Sequence, residues 1–371
     1  MKKLDALTSL RFFAAYAIVI HHSKDFLGRE VALLERLPLD QAVSFFFVLS
    51  GFILMYVHPR IEGTRGAARF IVARIARLWP LHIVTGVGLF YVLYRKLLFI
   101  QPIKSYAIAN VLLVHSWIPK MSVYYAFNAV SWAVAAEFFF YLCYPWLARD
   151  FARTWRAKLA ASFIPVVAFS LFFNTLQQGP GGEVWGMSPP DLLYINPLSR
   201  VFEFVLGMCF GMAYSRTSNR QPSGRGFGPT LKEAIALLLA CVSIYASIPF
   251  AVAIGTTAIG SGATWFVHSG SCVFFGLMIY VFAFGRGHIS RALSIKPLVF
   301  LGELSYAIFL AHQIVLRYFA DIKKKLHIEA LTGWSEYALY LALMFSIAYI
   351  LWRFVENPAR KLILRLSPKK A

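Results

Sequence analysis

Ten apolar runs constrain this chain more than any other feature, at about 6–24, 40–57, 78–99, 129–148, 159–174, 197–214, 232–249, 267–285, 297–318 and 335–353. Each approaches the ~20 residues that a helix needs to cross ~30 Å of bilayer hydrocarbon. Inside hydrocarbon every peptide N–H and C=O must be satisfied within the protein, and a helix does this locally. The runs therefore predict an all-α integral membrane protein of about ten transmembrane helices. Composition excludes a soluble alternative, because 59% of the residues are apolar and only 15% are charged, against about 25% charged in ordinary soluble domains. With no stretch polar enough to form a separate soluble unit, residues 1–371 read as one membrane domain.

A formal charge of +20 would also suit a nucleic-acid binder, so the placement of the 37 Lys and Arg decides between partners. With both termini in the cytoplasm, 24 of the 37 fall in inside segments and 13 in the rest of the chain, Arg11 among them inside a helix. That excess predicts N and C termini inside, although Lys323, Lys324 and Lys325, on an expected outer loop 319–334, run against it. The basic residues are thus explained by topology and lipid headgroups, and nucleic acid is not an expected partner. Cys143, Cys209, Cys241 and Cys272 lie in apolar stretches without metal-type spacing, so neither disulfides nor a metal site is expected. The opening Met1-Lys2-Lys3 runs straight into the first apolar run with no small-residue cleavage site, which predicts a retained anchor. Residues 102–118 read as an interfacial or re-entrant piece, 250–266 are ambiguous, and 175–196 form the long external loop.

Ionisable groups inside transmembrane helices cost roughly 2.5–3.5 kcal/mol each by insertion scales, so each is a functional candidate. The first run carries Arg11, His21 and His22. On a helix, the eleven residues from Arg11 to His22 return to within ~20° of one face and rise ~16 Å, enough to line one side of a cavity. The competing reading has Arg11 snorkelling to headgroups and the histidines in the outer interface. A buried histidine suits general-base activation of a hydroxyl, and an arginine below it suits an anionic group.

A second cluster, Arg65, Arg69, Arg74 and Arg77, lies in the inside segment 58–77. On a helix Arg74 and Arg77 share a face and can grip a phosphate, while the simpler reading is a basic flank on anionic lipid. Other polar candidates within the apolar runs are Glu137 after Ser131-Trp132, Ser50 before Gly51, Tyr306 and His312. Arg200 and Glu203, three residues apart, read as a structural ion pair.

These residues fall in motifs that resemble the acyltransferase-3 membrane proteins, which modify bacterial envelope and secreted glycans. The motifs are Leu4-Asp5-Ala6-Leu7-Thr8-Ser9-Leu10-Arg11 with His22, Phe46-Phe47-Val48-Leu49-Ser50-Gly51-Phe52 and Arg74-Ile75-Ala76-Arg77-Leu78-Trp79-Pro80. Ser131-Trp132 with Glu137, Gly302-Glu303-Leu304-Ser305-Tyr306 leading to His312, and Glu356-Asn357-Pro358 complete the series. Each motif is weak alone, and their order along the whole chain is specific.

The resemblance implies an O-acyltransferase of the bacterial cytoplasmic membrane. It would carry an acyl group, by family default acetyl, from cytoplasmic acetyl-CoA to a hydroxyl of an envelope or exported glycan or glycolipid. Carried over by position, His22, Arg11 and Glu137 are the catalytic candidates. Arg74, Arg77, Ser50, Trp132, Tyr306 and His312 go to the donor. Larger members of the family carry an external hydrolase-like domain, and without it direct transfer by the membrane domain is expected. A transporter or flippase of an anionic or glycolipid solute is the competing class, although no repeated halves are visible. The acceptor, the acyl chain length and the oligomeric state have no signature in the sequence.

Overall fold

The computed structural model describes residues 3–27, 37–88, 103–176, 183–218, 226–256, 260–327 and 332–366. In chain order the main helices are α1 (Asp5–Leu27), α2 (Ala42–Val57), α3 (Gly63–Ile83), α4 (Ile103–Val111), α5 (Trp132–Ala148) and α6 (Phe151–Leu176). They continue with α7 (Pro197–Thr217), α8 (Phe227–Gly255), α9 (Cys272–Phe284), α10 (Lys296–Lys325), α11 (Gly333–Leu351) and α12 (Asn357–Leu366). Among the described residues the β-structure amounts to one isolated bridge between Val184 and Met187. The protein is all-α.

Eight of the ten apolar runs fall on eight described segments long and apolar enough to cross a membrane, one of them, 267–285, ending a residue beyond its segment. Of the other two, 6–24 forms α1, and 78–99 begins in α3 and leaves the described residues after Gly88. The mostly buried α2 and α7 contrast with α6 and α8, which turn stripes of apolar side chains outward, including Ile164 and Leu171 on α6 and Leu231, Ile235, Leu238 and Val242 on α8. Leu339, Leu343, Ile347 and Ile350 make a similar outward stripe on α11. Outward apolar stripes at helical spacing on segments of this length and hydropathy are what lipid contact requires.

Two sequence readings change. The inside segment 58–77 is helix from Gly63 onward, so Arg65, Arg69, Arg74 and Arg77 all stand on α3. The outer loop expected at 319–334 begins later, because α10 runs to Lys325. Lys323, Lys324 and Lys325 form its last turn, where positive charge faces the negative end of the helix dipole. The ambiguous 250–266 divides into the end of α8 at Gly255 and a new helix from Ala263, with 257–259 outside the described residues. Residues 177–182 of the loop expected at 175–196 are also outside them.

The chain forms two compact units. The first holds residues 1–14, 38–61 and 139–303. At its centre α2 and α7 pack backbone to backbone through glycine. A Cβ at Gly51 would fall on the Phe204 carbonyl, and a Cβ at Gly207 on that of Val48. Such small-residue seams are how helices associate without a hydrophobic driving force. α7 is started by Asn196, whose side chain accepts from the Leu198 N–H at 3.0 Å, with Pro197 in the first turn. Arg200, fully buried, reaches Glu203 at 3.2 Å, Ser269 at 2.6 Å and Ser44 at 3.0 Å. The expected structural ion pair therefore forms and is embedded in hydroxyls, which offset its desolvation.

The second unit holds residues 15–37, 62–138 and 304–371. It contains α3, α4, α11, α12 and the parts of α1, α5 and α10 within those ranges. α12, which follows Glu356, packs on α3. Tyr16 and Tyr337 bring their phenol oxygens to 3.5 Å, joining α1 to α11.

Candidate functional site

His22 and His312 meet in the second unit. Their rings lie 5.1 Å apart, and His312 Nε2 is 3.1 Å from His22 Nδ1. The same His22 Nδ1 is 3.1 Å from the carbonyl of Ile18, one turn back on α1. His312 is fully buried, and its Nδ1 lies 2.7 Å from the Phe309 carbonyl and 3.3 Å from that of Ile308. The His312 backbone is held as well, since the Tyr340 phenol donates to its carbonyl at 3.2 Å. His21 packs edge-on against His22, with centroids 5.0 Å apart. An imidazole fixed in this way has the geometry of a proton acceptor for a bound hydroxyl.

One and a half turns before His312, the Tyr306 phenol donates to the Leu78 carbonyl at 2.8 Å. This bond attaches α10 to α3 beside Arg77. Arg74 and Arg77 are both half-buried, and the Arg74 guanidinium lies over the Phe70 ring at 5.3 Å. Arg65 and Arg69, further toward the start of α3, are exposed. The helix thus half-buries two of its arginines and leaves two exposed.

The segment read as interfacial or re-entrant is broken into short pieces. α4 ends at Val111, Leu113 takes a positive φ of 58°, and a short turn at His115–Trp117 follows. Its polar groups form a buried layer with α3 and the start of α5. His82 Nε2 donates to the Asn110 carbonyl at 2.9 Å, and Asn110 donates to Ser131 at 3.4 Å. Ser131 Oγ is 3.1 Å from His115 Nε2, and Asn128 donates to the Leu310 carbonyl on α10 at 2.9 Å. Burial, reinforced by the neighbouring His82, pushes the His115 imidazole down to about 3, so it is neutral at working pH. This layer fixes the entry to α5, where Trp132 is buried and Glu137 is half-buried.

Of the sequence candidates, the second unit thus contains His22, His312, Tyr306, Arg74, Arg77, Trp132 and Glu137. Ser50 and Arg11 belong to the first unit, where Ser50 donates to the Tyr141 phenol at 3.3 Å. Sequence reasoning passed over His82, Asn110, His115 and Asn128. Their signal was polar side chains in otherwise apolar surroundings, and it was weak because their partners lie on other segments. Among the described residues no group of three or more His, Cys, Asp or Glu converges as metal ligands.

The family model described as Acyltransferase domain matches residues 4–353 of the chain. The chain is 30% identical over 394 residues to the acyltransferase MdmB of Streptomyces mycarofaciens, covering 99% of this chain and 94% of that protein. It is 24% identical over 387 residues to the peptidoglycan O-acetyltransferase OatA of Listeria monocytogenes, covering 97% and 56%. Against the O-acetyltransferase OatA of Staphylococcus aureus it is 22% identical over 384 residues, covering 96% and 57%. The chain therefore spans a little over half the length of the two OatA proteins. No solved structure matches it.

Proposed function

This chain belongs to the acyltransferase-3 family, and from that premise we propose that it moves an acetyl group from cytoplasmic acetyl-CoA to a hydroxyl of an envelope or exported glycan or glycolipid. It is a multi-pass membrane O-acyltransferase. The donor, the direction across the cytoplasmic membrane and the residue roles are our reading. The observation that carries the reading is His22, a half-buried imidazole held by a helix carbonyl and by His312.

In this mechanism His22 takes the proton of the acceptor hydroxyl as the hydroxyl oxygen attacks the thioester carbonyl. The new C–O bond forms and the C–S bond breaks. The CoA thiolate leaves and recovers the proton from His22, so the products are the ester and free CoA. Arg74 and Arg77 hold the phosphates of the donor, for which a guanidinium fork is better suited than a point charge. Glu137 orients reacting groups, and Arg11 keeps the catalytic role that the family resemblance gives it. Trp132 and Tyr306, both in the second unit, shape the path of the thin uncharged donor arm. The peptidoglycan named for the Listeria relative makes a glycan hydroxyl the first acceptor to try.

The test is release of free CoA from acetyl-CoA by purified protein in nanodiscs, with and without a crude envelope-glycan extract. Wild type should turn over only with the extract, His22→Ala should lose about 10²–10⁴-fold in rate, and Arg77→Ala should need more donor. Neither turnover nor acetyl-CoA binding by folded wild type would remove the donor assignment and bring the transporter class forward.

A further inference from the structure

The two nitrogens of a neutral imidazole are not equivalent, since one carries hydrogen and the other a lone pair. His312 Nδ1 faces two backbone carbonyls, Phe309 at 2.7 Å and Ile308 at 3.3 Å, and neither can donate. The hydrogen of neutral His312 is therefore on Nδ1, which leaves a lone pair on Nε2. That lone pair is 3.1 Å from His22 Nδ1, so His22 Nδ1 is the donor. The Ile18 carbonyl, 3.1 Å from the same atom, accepts a share of that hydrogen, as the weaker partner because it also serves the helix bond of α1. Every link in the chain from the Phe309 carbonyl through His312 to His22 points one way, and it places the lone pair of His22 on Nε2.

We infer that His312 is a positioning residue that sets the tautomer of His22, so that Nε2 is the atom that receives the acceptor proton. The inference rests on the proposed role of His22 as base. It moves His312 out of the donor-binding set, because both of its ring nitrogens are committed within the protein. The arrangement resembles a metal-bound histidine whose second nitrogen is fixed by an outer partner, where loss of the partner costs about 10–100-fold. Here the partner is a second imidazole, 290 residues away in the sequence and locked by its own helix. When His22 becomes charged, the His312 lone pair still accepts from Nδ1, so no reorientation is needed during the proton transfer.

The test uses the full chain, labelled with ¹⁵N-histidine, in nanodiscs, and reads the tautomer of His22 by its ring ¹⁵N–¹H couplings. The His22 signals are assigned by their loss in His22→Ala. Wild type should show His22 protonated at Nδ1. His312→Leu should give a mixture of tautomers, with kcat about tenfold lower and the donor KM changed less than about twofold. His312→Gln, which returns an acceptor oxygen near the Nε2 position, should restore the Nδ1 form and most of the lost kcat. His22 protonated at Nε2 in wild type would overturn the inference. So would an unchanged tautomer in His312→Leu, whatever its activity, and so would failure of Gln to rescue a folded protein. The spectrum needs no substrate, so absence of turnover with acetyl-CoA would count against the acyl-transfer reading while leaving the tautomer result standing.

Discussion

The Tyr306 phenol donates to the Leu78 carbonyl at 2.8 Å, tying the helix that carries His312 to the helix that carries Arg74 and Arg77. The bond is local, but its two helices hold groups assigned to different steps, proton transfer and donor binding. Removing it alters the spacing of those groups while leaving each of them present.

Tyr306→Phe should therefore fold and retain activity, because a neutral hydrogen bond contributes only about 0.5–1.5 kcal/mol. Steady-state kinetics should show a donor KM raised by several-fold, with a smaller fall in kcat. A wild-type KM in this variant would mean that the tie between α3 and α10 does not position the arginines.

Arg77→Ala should raise the KM for acetyl-CoA by about tenfold, corresponding to about 1.4 kcal/mol of lost charge-assisted binding. Arg77→Lys should recover only part, since a single ammonium cannot reproduce the guanidinium fork. The decisive comparison is S-acetylpantetheine, a thioester that lacks the nucleotide phosphates. With that donor wild type and Arg77→Ala should be nearly equal, and an undiminished defect would show that Arg77 serves the fold or the chemistry instead.

How much of this arrangement could be read in advance depends on the range of the interactions involved. Helix existence is written locally: the apolar run 129–148 returns as a helical segment with the same limits. Arg200 with Glu203 was also legible, because a three-residue spacing is a contact on any helix. Helix ends were harder. The basic residues of 58–77 and 323–325 marked loops by charge, yet charge is equally at home on helical turns that leave the membrane. The pairing of His22 with His312 has no local signature, since helix spacing says which face a residue occupies and nothing about which helix faces it. The polar layer around Asn110, His115 and Asn128 was missed for the same reason, and each of these side chains looked unremarkable until its partner was known.

That layer predicts a pH response. The His115 imidazole is held down at about 3 when folded, mainly by burial, against an ordinary value of 6.5. Between those values the unfolded chain binds a proton that the folded chain does not, so stability rises with pH and falls as pH drops below about 6.5. The slope from this one group is at most about 1.4 kcal/mol per pH unit. Thermal unfolding in nanodiscs between pH 7 and pH 5 should show a declining Tm for wild type. His115→Gln should lower Tm at pH 7, because it disturbs the bond to Ser131, but should flatten the decline. Parallel slopes in the two proteins would mean that His115 does not titrate on unfolding.

The glycine seam of the first unit gives the prediction with the least room for adjustment. A Cβ at Gly207 would overlap the carbonyl of Val48, and one at Gly51 would overlap that of Phe204, so each glycine admits the backbone of the other's helix. A side chain can rotate away from an intruding methyl group, but a hydrogen-bonded helix backbone cannot. Gly207→Ala must therefore separate α2 from α7, at a cost on the order of 1–3 kcal/mol or more. A shift of α2 also moves Ser50, adjacent to Gly51 and bonded to Tyr141 at 3.3 Å. Gly228, at the start of α8, has open space where its Cβ would stand, and it is the matched control. Fluorescence-detected size exclusion after a heating series should show Gly207→Ala losing its monodisperse peak at lower temperature than wild type, while Gly228→Ala follows wild type. Equal stability of the two alanine variants would require α2 and α7 to lie further apart than the seam described above.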